Sequence, residues 1–212
     1  MLECRNLTCV REQRVLFKQL NFMLSAGEIL HLEGPNGAGK TSLLRLLTGL
    51  SSAYSGDIYW QQENIIKQRE SYYKALLYLG HKSGIKPELT VLENLQSFQR
   101  LYSTQADADL FEALLMVGLV GYEYVPAAQL SAGQQRRIAL ARMYITDCKL
   151  WILDEPFTSL DKHAVQVLEK RLIKHAEQGG AIVLTTHHEL SIPESAYKKL
   201  RLSAPAEEEQ YV

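Results

Sequence analysis

The sequence predicts an α/β fold: a mostly parallel sheet with helices on both faces, an antiparallel β portion at the N-terminus and an α-helical insertion. Three observations lead there. Two unbroken apolar runs, 150–153 and 181–184, are flanked by helical spacing, as in parallel strands covered on both sides. A glycine-rich turn at 34–41 stands between an apolar strand and a helix with leucines at 43, 44, 46, 47 and 50. Residues 90–118 carry a helical pattern that interrupts the α/β alternation.

In chain order, residues 1–33 alternate apolar and polar over short stretches and read as short strands, including an antiparallel pair, with a turn at Gly27. Gly49 marks the end of the first helix. A Ser/Gly turn at 51–56 precedes a strand at 57–61. Leu92, Leu95, Phe98 and Leu101 begin one helix, and Leu110, Phe111, Leu114 and Leu115 another, with a polar linker at 103–109. After Pro126, a turn at 131–134 opens a helix running to Met143. A helix over roughly 163–178, ending at Gly179-Gly180, joins the two apolar strands. The tail 203–212 reads as a frayed acidic end.

Composition narrows the function. The 212 residues, about one and a half typical domain lengths, suit one domain with a small lobe. At 46% hydrophobic and 22% charged, the chain is ordinary for a globular protein, which excludes wholesale disorder. The net charge of -1 argues against nucleic-acid binding by bulk electrostatics. No apolar run nears the roughly 18–20 residues of a membrane span, and no signal peptide is read at the N-terminus. Cys4, Cys9 and Cys148 form no CxxC pair, as expected of a reduced, cytosol-facing chain.

Gly34, Pro35, Asn36, Gly37, Ala38, Gly39, Lys40 and Thr41 match GxxxxGK(S/T) in full. Chance produces that match on the order of once per hundred chains of this size. Glycines let the loop curl so that backbone N–H groups converge on a polyphosphate at the next helix's N-terminus, which also brings in Ser42. Lys40 would reach the β- and γ-phosphates, and the Thr41 hydroxyl would face Mg²⁺. Asp154 and Glu155 end the apolar strand at 150–153, at the edge where ligands gather in parallel sheets. Asp154 would hold the metal shell and Glu155 would polarise the attacking water. The competing reading is a surface acid pair opening the turn before Pro156.

Leu130-Ser131-Ala132-Gly133-Gln134-Gln135 resembles the signature motif of ABC-type ATPases, 157–161 resembles their D-loop, ending on Asp161, and Thr185-Thr186-His187 their switch histidine. The motifs occur in that family's order and spacing over nearly the whole chain. The resemblance implies a P-loop NTPase of ABC type: a single ATP-binding domain over 1–212, with a core of 1–84 and 146–212 and a helical lobe of 85–145 that includes the signature. It implies a head-to-tail homodimer in which Ser131, Gly133 and Gln134 of one subunit meet the ATP held by the other, and His187 bonds the γ-phosphate. Ser131 also reads as a helix N-cap. His188 reads as incidental. Arg136, Arg137 and Arg142 read as ion-pairing or interface-shaping residues.

Two positions depart from the family pattern. His81 stands where a glutamine usually contacts Mg²⁺ and water; it either takes the coupling role or is a loop histidine. No aromatic lies near residues 9–14 to stack on adenine, leaving Arg11 and no demonstrated preference of adenine over guanine. Residues 78–86 and 88–95, with 151–161, closely resemble the ATPases of bacterial cytochrome c maturation. That implies partners of CcmB and CcmC type, a peripheral place on the cytoplasmic face of the inner membrane, and ATP hydrolysis tied to haem export or release of a haem-loaded chaperone. The alternatives are the ATPase of another small exporter or importer and a soluble ABC protein. The latter fits less well, lacking a long coiled-coil insertion or second ATPase unit.

Overall fold

A computed structural model describes residues 1–102 and 109–203. The linker expected at 103–109 and the tail expected at 203–212 lie outside these residues, apart from Asp109 and Ser203.

The N-terminal strands are long. β1 (Leu2–Arg11) and β2 (Arg14–Leu24) pair antiparallel, Leu2 opposite Leu24 and Cys4 opposite Phe22. Glu12 and Gln13 make the turn with φ of 49° and 64°, a conformation usually left to Asn and Gly. β4 (Ser55–Trp60) lies on the other side of β1 and turns back through Gln61 and Gln62, again at positive φ, into the two-residue β5 (Glu63–Asn64). This sheet has the order β2-β1-β4-β5.

The second sheet is wholly parallel, in the order β6-β7-β8-β3-β9. β3 (Ile29–Glu33), β7 (Leu150–Asp154) and β8 (Ala181–Thr185) occupy its centre; β6 (Leu76–Leu79) and β9 (Lys198–Arg201) are its edges. Every residue of β7 and β8 is buried, which accounts for their unbroken apolar sequence. Alternate residues serve opposite faces. Leu150 and Ile152 join Leu43, Leu44 and Leu47 of α1 (Lys40–Leu47) and Leu2, Cys4 and Leu7 of β1 in one core. Trp151 and Leu153 join Leu168 and Leu172 of α6 (Lys162–Glu177) in the other. A short helix, α2 (Arg69–Ala75), anchors on the first core through Tyr72, whose hydroxyl donates to the Leu47 carbonyl at 2.5 Å.

The interrupting helices have their own core. Val91 and Leu95 of α3 (Val91–Tyr102), Ala113 and Leu114 of α4 (Leu110–Met116), and Ile138 and Ala141 of α5 (Ala132–Ala141) pack together. Asp109 caps α4 by accepting from the Phe111 and Glu112 N–H groups. Buried Asn94 fixes the approach to α3: its Oδ1 accepts from the Lys86 N–H at 2.8 Å, and its Nδ2 donates to the Lys86, Leu89 and Thr90 carbonyls.

Beneath the sheet, His175 stacks flat on Trp151, ring centroids 3.6 Å apart and planes 7° from parallel. Burial holds its pKa down at about 4, so the ring is neutral at physiological pH. A Cβ at Gly180 would lie 2.1–2.4 Å from that ring, which Trp151 prevents from yielding. Gly180→Ala is therefore expected to lower stability by about 2–3 kcal/mol. Thermal unfolding of Gly180→Ala, His175→Ala and the double variant tests it; the clash predicts that the two substitutions are strongly non-additive.

Candidate nucleotide site

Four neighbouring strands of the parallel sheet end on the segments of interest: β6 before His81, β7 on Asp154, β8 before His187 and β3 before Gly34. Ligands collect along this edge of parallel sheets. A cavity of about 330 Å³ opens there. Pro35, Asn36, Gly37, Gly39, Lys40, Thr41 and Ser42 line one side, and His81, Asp154, Glu155 and His187 the other.

The loop has the backbone its glycines allow. Gly34, Gly37 and Gly39 adopt φ of 150°, 82° and 95°. Gly39 also passes under β2, where a Cβ would come within 3.1 Å of Leu16 and 3.3 Å of Phe17. Ala38 closes the turn, its N–H donating to the Pro35 carbonyl. Lys40 Nζ donates to the Gly34 carbonyl at 2.5 Å and the Pro35 carbonyl at 3.1 Å, so its charge stays within the loop. The first turn of α1 follows at once, presenting the positive end of a helix.

The acid pair is held by one hydroxyl. Thr185 Oγ1 donates to Asp154 Oδ1 at 2.8 Å and accepts from the Glu155 N–H at 3.0 Å. Asp154 is buried, whereas Glu155 faces the cavity with φ of 49°, a left-handed conformation uncommon outside glycine. The His187 N–H donates to Glu155 Oε2 at 3.1 Å, and His187 Nε2 lies 3.6 Å from Oε1. The acid and histidine expected to serve one phosphate thus touch each other. His188 turns away, its ring 5.3 Å from Phe157.

Other candidates lie outside the cavity. Ser131 caps α5, accepting from the Gln134 N–H while Gln134 Oε1 accepts from the Ser131 N–H. A Cβ at Gly133 would sit 2.9 Å from the Ser159 carbonyl, so the signature turn packs closely on the 157–161 turn of its own chain. Asp161 caps α6 through the Ala164 N–H and pairs with Arg137; the capping bond first, then Arg137, holds its pKa below the usual carboxylate range. Leu16, rather than Arg11, lines the cavity beside the loop.

Two residues gained no specific role from sequence reasoning. Thr185 was part of the histidine motif, but the hydroxyl that ties the acids together carried no separate pattern. Arg136 reads from sequence, with Arg137 and Arg142, only as an ion-pairing or interface-shaping residue. It is buried, and its partners are backbone carbonyls rather than a carboxylate: it donates to those of Gly80, Asp154 and Glu155.

A glycine-rich loop opening a helix, a strand ending in an acid pair and a capped signature helix, all on this two-sheet scaffold, define an ABC-type ATPase. The ABC transporter family matches residues 17–158. The chain belongs to that family and, within it, to the group of cytochrome c biogenesis ATP-binding export proteins called CcmA. The CcmA of Aliivibrio fischeri is 54% identical over 202 residues, 95% of this chain and 99% of that protein. That of Vibrio cholerae is 51% identical, covering 97% and 100%. Among solved structures, the ATP binding subunit of an ABC transporter superposes with a TM-score of 0.86 at 24% identity, covering 97% and 88% of the two chains. A bacterial ABC transporter cassette solved as a dimer gives 0.81 at 22% identity, covering 96% and 94%. These two establish the fold.

Proposed function

We propose that this chain is the ATP-binding and ATP-hydrolysing subunit of a membrane complex for cytochrome c biogenesis, acting as one domain over 1–212 with a helical lobe at 85–145. The observation that carries the ATPase reading is the cavity joining Lys40 and Thr41 to Asp154, Glu155 and His187. The identity to CcmA proteins over nearly the full length supports the biological role.

The backbone of residues 34–39 and the N–H groups of Lys40, Thr41 and Ser42 cradle the phosphates, and Lys40 exchanges its loop carbonyls for phosphate oxygens. Thr41 and Asp154 offer a hydroxyl and a carboxylate to the same space, a donor set suited to Mg²⁺, which takes few protein oxygens and shares the rest with phosphates and water. Bound there, the ion supplies charge neutralisation on the phosphates. Glu155 accepts a proton from the attacking water, and His187, steered by its contacts with Glu155, donates to the γ-phosphate.

Ser131, Gly133, Gln134 and Asp161 lie outside their own chain's cavity, which supports a head-to-tail dimer where they complete the partner's site. The dimeric cassette among the structural neighbours fits this arrangement. Among the described residues no helix is long and apolar enough to cross a membrane. Membrane subunits of CcmB and CcmC type would then bring this chain to the cytoplasmic face. Co-purification from membranes tests the role: partners unrelated to cytochrome maturation would remove the specific assignment and leave the ATPase.

His81 lines the cavity from the β6 side, where the family's glutamine normally stands. His81→Ala is expected to cut partner-stimulated turnover about tenfold with little loss of nucleotide affinity. Unchanged turnover and stimulation, measured by phosphate release with and without membrane subunits, would make it a loop histidine.

A further inference from the structure

Arg136 lies five residues after Ser131 on α5, and the residue is only 5% exposed. Nη1 donates to the Gly80 carbonyl at 2.8 Å, and Nη2 to the Asp154 and Glu155 carbonyls, each at 3.0 Å. These acceptors come from two different strand ends. Gly80 immediately precedes His81, and the other two carbonyls belong to the acid pair itself. Nε has no acceptor among the described residues.

Burying a guanidinium is costly, and an apolar side chain of similar volume would fill the space without that cost. Burial accordingly lowers the arginine's pKa, and the Asp154 and Glu155 charges oppose the shift. What a guanidinium offers in return is a rigid planar fork that holds several peptides in one fixed relation. One of those peptides is that of Glu155, whose left-handed backbone needs outside support to persist. The same helix begins at Ser131, with its capping box, and at Gly133, packed on the Ser159 carbonyl. Arg136 thus ties the signature helix to the backbone of two of the cavity-lining segments, the one bearing His81 and the acid pair.

We propose that Arg136 is a positioning residue joining the two half-sites of one subunit: it locks the Glu155 peptide and the loop bearing His81 to the signature helix, so that engagement of Ser131 at the partner's nucleotide is felt at the subunit's own acid pair. It touches no substrate. The proposal rests on the ATPase reading above, and extends it from the chemistry of one site to the linkage between two.

The test uses the full-length chain with Arg136→Ala, Arg136→Lys and Arg136→Met, following MgATP turnover, binding of a fluorescent ATP analogue and thermal unfolding. Arg136→Ala should lower kcat about tenfold or more while KM for MgATP moves less than about threefold. Cooperativity in ATP should fall towards none. Millimolar guanidinium should restore part of kcat in Arg136→Ala and leave the wild type unimproved, since the free cation can reoccupy the fork. Arg136→Lys, able to reach fewer carbonyls, should fall between. Should Arg136→Ala fail to fold, Arg136→Met fills the volume and carries the same kcat comparison.

Wild-type kcat in a folded Arg136 variant overturns the proposal. So does a loss that follows the melting temperature alone and does not respond to guanidinium. A wild-type chain that binds but never hydrolyses ATP, even with its membrane partners, overturns the ATPase reading instead and takes this linkage with it.

Discussion

Glu155→Gln is expected to lower ATP turnover about a thousandfold while an ATP-dependent dimer accumulates. The amide keeps the size of the carboxylate and an oxygen for the His187 N–H, so the 3.1 Å contact and the cavity wall survive. It loses the ability to take a proton from water, a contribution worth roughly a hundred- to ten-thousandfold, or about 3–5 kcal/mol of barrier. Binding, which rests on the loop and Lys40, is untouched by that change. Phosphate release measured beside light scattering in ATP separates the two effects. Full turnover in this variant would move the base to another group, and a variant that neither turns over nor dimerises would point to structural damage.

The second large effect comes from mixing two inactive proteins. Lys40→Ala removes the cation on the phosphates, and Ser131→Arg places a charge where the partner's nucleotide should meet a helix start. Each homodimer should be inactive. In a mixed dimer one site carries both lesions, and the other combines the intact loop of one chain with the intact signature of its partner. An equal mixture should therefore recover up to about a quarter of the wild-type rate, if the two sites act independently. Recovery of nothing, with mixed dimers demonstrated, would mean either that loop and signature serve the same chain's nucleotide or that the unengaged signature silences its own chain's acid pair through Arg136. A mixed dimer of wild type and Lys40→Ala separates them, since half activity requires the first and its loss the second. The position of Ser131 and Gly133 outside their own cavity argues for recovery.

Much of this was legible because it is carried by residues that can do little else. The phosphate loop needs its glycines, β7 and β8 must be apolar because both faces are covered, and α1 shows its buried side as four leucines. What escaped detection lacked a pattern of its own. β9 is an edge strand of sequence Lys-Lys-Leu-Arg, largely exposed, with no apolar pattern to announce it. α2 buries a single side chain, Tyr72, and runs straight into β6 with no turn residue between them. The hairpin turns use Glu12-Gln13 and Gln61-Gln62 where Asn-Gly is the usual sign, so the full length of β1 and β2 was hidden. Arg136 was opaque for a different reason: its partners are backbone carbonyls 56, 18 and 19 positions away, and a carbonyl leaves no trace in sequence. The touching pair of Glu155 and His187 could be anticipated only through the family resemblance.

The order of strands in the parallel sheet has a consequence for how the protein is made. β3, which carries the phosphate loop, is flanked by β8 and β9, both drawn from the last quarter of the described chain. Gly34 itself lies under the backbone of Leu202, whose carbonyl would sit 2.6 Å from a Cβ there. During synthesis the loop emerges early, yet the strand beneath it has no sheet neighbour until some 150 further residues have followed. Parallel pairing over such separations is slow, and an apolar strand left open on both edges is prone to wrong partners. The nucleotide site is thus among the last features to become rigid on a growing chain, and a ribosome that stops short of β9 releases a cassette whose phosphate loop is written but not yet braced.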